Sequence, residues 1–130
     1  MSFNTTYYLF LIEKELNMYK NSNTEEEKEI YARNIISRSY YTILLHCKYT
    51  MELTQIKKYD KDTHKRIIDA VINIHVKTFL KTYKTIRIDC DYYSGKRAIQ
   101  NEITEDKLDK LFVNIKKFIN FNKIKLETRQ

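Results

Sequence analysis

One glycine and no proline in 130 residues leave this chain few ways to turn. Glycine permits positive φ and proline presets tight turns, so β-sandwiches, hairpin stacks and glycine-rich phosphate loops are effectively closed to it. What remains is a set of helices joined by short Asn, Asp, Ser and Thr connections. A chain of this length buries one core without disulfide or metal staples, and its apolar content of 42%, with eleven Tyr and six Phe, supplies the material. The reading is an all-α protein, an antiparallel up-and-down bundle of four to five helices. One domain is expected over residues 1–122, followed by a basic tail, 123–130, that frays at its end.

Charge is spread unevenly over this frame. The formal net charge is +7, yet residues 1–30 hold three Lys against six Glu, a net of −3. The other hundred residues therefore carry +10. A basic excess of this kind suits an anionic partner such as RNA, or equally a solubilising surface. The strip formed by Lys116, Lys117, Lys123 and Lys125 has the same two readings.

Helical periodicity places the elements. Tyr8, Leu11, Ile12, Leu16 and Tyr19 make one apolar face over residues 4–20, ended by Asn21-Ser22-Asn23. Thr24 with Glu27 reads as a capping box, and Glu25 and Glu26 complement the helix dipole. The helix they open runs to about Leu53 along a stripe of Ile36, Tyr40, Ile43, Cys47 and Met51. After a polar stretch around Lys57–Lys61, Asp60 or Asp62 is the next candidate cap. Ile67, Ile68, Val71, Ile72 and then His75 or Val76 mark a third helix. Phe79, Leu80, Tyr83, Arg87, Cys90 and Asp91 mark a fourth, from about Thr78 to Tyr93. No obvious breaker separates these two, so one bent rod and two rods both fit. Gly95 offers a left-handed stop. Thr104 caps a last helix whose seam is Leu108, Leu111, Phe112, Ile115 and Ile119.

Cys47 and Cys90 sit on apolar positions outside any CxxC or paired framework, which predicts buried, reduced thiols in a cytoplasmic protein. The N-terminal segment lacks a basic leader region, and its apolar run is too short to span a bilayer, so no membrane association is expected. His46, His64 and His75 are scattered, with no His or Cys partner at i+3 or i+4, so neither a metal nor another cofactor is expected.

Two short stretches carry a family resemblance. Ser37-Arg38-Ser39-Tyr40-Tyr41 lies on the long second helix, and Arg87-Ile88-Asp89-Cys90-Asp91-Tyr92 follows some fifty residues later. Helical S-R-x-Y-Y followed by R-x-x-small-D-Y resembles the HEPN superfamily (higher eukaryotes and prokaryotes nucleotide-binding), in its branch of small stand-alone prokaryotic proteins. Ser39 and Thr42 stand where that branch usually has alanine, and Cys90 stands at the small position. His64 falls where such proteins often place a histidine. The resemblance covers residues 5–122.

It implies a helical bundle, usually homodimeric, in a prokaryotic toxin–antitoxin or phage-defence module, with a nucleotidyltransferase or antitoxin as possible partner. It also implies binding of RNA or a nucleotide. Active branches are metal-independent endoribonucleases whose Arg and His are separated by four to six residues and meet across the dimer. Here Arg38 and His46 enclose seven residues and Arg66 and His75 enclose eight. On one helix Arg38 and His46 would stand about 12 Å apart and roughly 80° around the axis, too far to act together within a subunit. Arg38 and His46 are therefore catalytic candidates only as a displaced pair across a dimer, against a catalytically silent binding protein. A purely structural helical partner-binding protein is the third alternative.

Arg38, Tyr41, Arg87, Asp91 and Tyr92 form the second candidate cluster. An arginine in an apolar stripe is costly unless paired, and Asp91 is the carboxylate expected to pair with Arg38 or Arg87. That cluster reads either as a buried network fixing helix register or as the lining of a phosphate-accepting pocket.

Overall fold

The computed structural model describes residues 4–50, 63–92 and 103–125. They form five helices: α1 (Thr5–Lys20), α2 (Glu25–Thr50), α3 (Thr63–Ala70), α4 (Ile74–Tyr92) and α5 (Glu105–Lys125). No strand occurs among the described residues. The chain is an all-α bundle, as one glycine and no proline require.

The caps follow polar residues in the sequence. Asn4 opens α1 by accepting from the Tyr7 amide at 2.9 Å. Asn21 and Ser22 close it, donating from their side chains to the Asn17 and Met18 carbonyls. Thr24 accepts from the Glu27 amide at 3.1 Å, which is the N-cap half of the expected capping box, and its hydroxyl donates to the Glu27 carboxylate. Thr104 likewise accepts from the Lys107 amide to open α5.

Helices three and four are two rods. Asn73 accepts from the amides of His75 (2.9 Å) and Val76 (3.1 Å), capping α4 between two β-branched apolar residues, Ile72 and Ile74. The run Val71-Ile72-Asn73-Ile74 reads as continuous helix by hydropathy, but the asparagine side chain competes for the backbone amides and wins. His75 thus belongs to the first turn of α4 and is exposed, whereas Val76 is fully buried. At the other end, α5 continues through Lys125, three residues into the stretch expected to fray. Met51, Asp60, Asp62, Tyr93 and Gly95 lie outside the described residues.

α2 is the central element and packs on all four others. Ala32, Ile35, Ile36, Tyr40, Ile43, Leu44 and Cys47 give it a broad buried surface. Ile12 and Leu16 of α1, Ile67 of α3, Leu80 of α4 and Leu108 and Ile115 of α5 complete the core. Each fully buried Ile or Leu among them contributes about 1.5–3 kcal/mol on burial. Cys47 and Cys90 are buried, and neither is in a disulfide.

Cross-helix contacts give the directions. Thr5 meets His46 and Glu15 meets Arg38, so α1 and α2 are antiparallel. Arg33, early in α2, reaches Asp89, late in α4, and Phe79, early in α4, packs on Phe118, late in α5. The Lys20–Asp109 ion pair (2.8 Å) and the Tyr19 hydroxyl on the Ile103 carbonyl (2.9 Å) pin the end of α1 to the start of α5.

Candidate functional site

The two sequence motifs meet across the α2–α4 contact. Ser37 donates to Asp91 Oδ1 at 2.5 Å over 54 residues of sequence, and Arg87 Nη1 donates to Asp91 Oδ2 at 3.2 Å. Arg87 is thus the arginine that pairs with Asp91. One turn of α4 separates them, so the ion pair forms within the helix and presents one carboxylate to α2.

Arg38 is paired elsewhere. Its Nε donates to Glu15 of α1 at 2.7 Å, a bond no spacing within α2 or α4 reveals. The Arg38 side chain remains 35% exposed while that of Glu15 is 15% exposed. A single nitrogen therefore holds the guanidinium in direction.

Between these two ion pairs lies a cleft of about 310 Å³, lined by Tyr8 of α1, Asn34, Ser37, Arg38, Tyr41, Thr42 and Leu45 of α2, and Asp91 of α4. Its residues recur on α2 at three- and four-residue steps, which places them on one face. Three of the candidates, Arg38, Tyr41 and Asp91, line it. Arg87 lies behind it, with its guanidinium carbon 5.3 Å from the Tyr41 ring centre and 5.8 Å from that of Tyr40. The side chain of Tyr92 lies outside the described residues.

His46 is not part of this lining. It faces α1, where Nδ1 shares a hydrogen bond with the Thr5 hydroxyl at 3.0 Å, and Nε2 is buried with no hydrogen-bond partner among the described residues. Burial lowers its pKa, so it is neutral at pH 7. Within one subunit Arg38 and His46 serve different contacts of α1, with Glu15 and Thr5 respectively.

His64 is better connected than its sequence position suggests. From the first turn of α3 its Nδ1 shares a 2.9 Å hydrogen bond with the Tyr40 hydroxyl, and its ring stands edge-on to Tyr41 at 5.6 Å. Burial lowers its pKa, with the charges of Arg87 and Lys84 acting in the same direction. Burial also raises the pKa of Tyr40 well above its ordinary value. The tyrosine pair of the first motif thus serves two ends: Tyr40 anchors α3 and Tyr41 walls the cleft.

Arg33 is a buried residue that the sequence reading did not single out. It lies one turn from Ile36 on the buried stripe and is only 6% exposed. Nε donates to Glu29 at 2.9 Å and Nη1 to the Asp89 carbonyl at 2.6 Å, satisfying an acceptor in the last turn of α4. The Glu29 spacing of i−4 was the available signal.

Among the described residues no three His, Cys, Asp or Glu side chains group as metal ligands, and no helix is long and apolar enough to cross a membrane. Comparison with protein-family models, curated proteins and solved structures finds no match to this chain.

Proposed function

We propose that this chain is a HEPN-type helical protein that binds RNA or a nucleotide in the α1/α2/α4 cleft. In this reading it acts as a catalytically silent homodimer within a prokaryotic toxin–antitoxin or phage-defence module, beside a nucleotidyltransferase or antitoxin partner. The observation that carries the binding role is the convergence of both motifs on one cleft, through Ser37, Arg38, Tyr41 and Asp91.

The chemistry of the lining supports a nucleotide unit. Arg38 offers a cation held by Glu15, suited to a phosphate group. Tyr8 and Tyr41 offer aromatic surface to a base, and Asn34 and Asp91 offer polar groups to its edge. A volume near 310 Å³ is at the lower end for ligand pockets and suits one nucleotide. The silent version is favoured over the nuclease version because His46 faces α1 and is absent from the cleft lining.

Purified protein mixed with single-stranded RNA in EDTA tests the proposal. Binding that weakens steeply as salt rises, without cleavage, is the expected result. Metal-independent cleavage lost in both Arg38→Ala and His46→Ala would replace the silent reading with the displaced-pair nuclease. Absence of binding by RNA and nucleotides at low salt would leave the structural partner-binding reading.

A further inference from the structure

We propose that the cleft selects guanine, with the base edge on the Asp91 carboxylate and the phosphate on Arg38. The inference rests on the nucleotide reading of this cleft and deepens it by naming the base.

The groups lining the cleft differ in the hydrogen-bonding capacity they have left. The Thr42 hydroxyl donates to the Arg38 carbonyl at 2.7 Å, and the Ser37 hydroxyl donates to Asp91, so each has its proton committed. Arg38 uses Nε on Glu15, while its two terminal nitrogens make no hydrogen bond among the described residues. Asp91 accepts one bond on each oxygen, from Ser37 and from Arg87. A carboxylate has about four lone-pair sites, so each oxygen retains one. The Asp91 side chain is 29% exposed and lines the cleft, which makes that capacity reachable. The exposed Asn34 amide adds a donor and an acceptor beside it.

A carboxylate accepts and does not donate, so the edge laid against it must carry donors. Guanine meets this with two neighbouring donors, N1–H and the 2-amino group, matched to the two oxygens. Adenine and cytosine put a ring nitrogen lone pair next to their amino group, and uracil flanks its one N–H with carbonyls. Each of those acceptors would face a negative charge at close range. Guanine's O6 then lies next to N1–H, where an amide such as that of Asn34 could donate to it. The discriminating group is thus Asp91, positioned by Ser37 from α2 and by Arg87 from its own helix.

The ligand is a guanine nucleotide, either free or as one residue of an RNA strand. Calorimetric titration of the full chain with GMP, IMP and AMP, and with RNA octamers differing by a single G-to-A change, separates the two sources. GMP should bind tightest, IMP more weakly because it lacks the 2-amino donor, and AMP about tenfold or more below GMP. Asp91→Asn should flatten that ranking, since its amide nitrogen sets a donor against one of guanine's two donors. Discrimination by the octamers alone would assign guanine as a strand residue.

Equal binding of GMP, IMP and AMP, with no octamer preference, overturns the guanine inference and leaves the nucleotide reading standing. No binding by any mononucleotide or octamer overturns both. The wild-type ranking decides the matter even if Asp91→Asn does not fold.

Discussion

Arg33 and Arg38 stand five residues apart on the same helix and do opposite things. Arg33 is buried, and its guanidinium bonds to Glu29 and to the Asp89 carbonyl. Arg38 is held by Glu15 through one nitrogen and keeps a third of its side chain in solvent at the cleft. Burial forces an arginine to find protein partners for its donors, because each unmet one carries a desolvation cost. A tethered, half-exposed arginine keeps donors for something else at little cost. The buried arginine is structural, and the tethered one is the functional candidate.

The largest effect is expected for Arg33→Met. It removes the bonds that Arg33 makes to the Asp89 carbonyl and to Glu29, and should cost about 3 kcal/mol in denaturant unfolding. A loss below about 1 kcal/mol would make Arg33 no more structural than a surface residue. Arg87→Met comes next. It keeps a side chain against Tyr40 and Tyr41 but removes the Asp91 ion pair and the cation–ring contacts. The expected loss is about 1–2 kcal/mol. An unchanged melting temperature would rule out a structural role for Arg87.

A pH series sharpens the same contrast for the histidines. His64 faces Tyr40 and Tyr41 of α2 and feels Arg87 and Lys84 of α4, and its folded pKa is lowered by burial first and those cations second. As pH falls the unfolded chain takes up the proton before the folded one. Stability is therefore full above the ordinary histidine pKa of about 6.5 and declines as pH drops below it. His46 acts in the same direction through burial. His64→Gln should reduce the slope of stability against pH on the acid side of that value, followed by chemical denaturation. A slope unaffected by this change would show that protonation of His64 is not coupled to folding.

Much of this architecture is legible from local rules. The Thr24–Glu27 and Thr104 caps, the stripe on α2 and the seam on α5 depend on residues within one or two turns, whereas the sequence left Arg38 and Arg87 both open as the partner of Asp91. Asn73 escaped because periodicity treats it as one polar position in an apolar run, while its side chain acts on backbone amides. The Arg38–Glu15 pair and the Tyr40–His64 bond join separate helices, and nothing local encodes which helix faces which. The cleft is a product of those tertiary contacts. Arg38, Tyr41 and Asp91 of its lining were named from the sequence as a polar cluster, but Asn34 and Leu45 were not, nor was the division of partners between Arg38 and Arg87.

The most direct test is Arg38→Ala, in which unfolding and salt-dependent RNA binding are measured on the same preparation. The expected result is a stability change within about 1 kcal/mol, as for a partly exposed ion pair, together with weakened binding and a salt slope shallower by about one. A variant that binds RNA as wild type does, with the same salt slope, would contradict the assignment of Arg38 as the cation of the cleft.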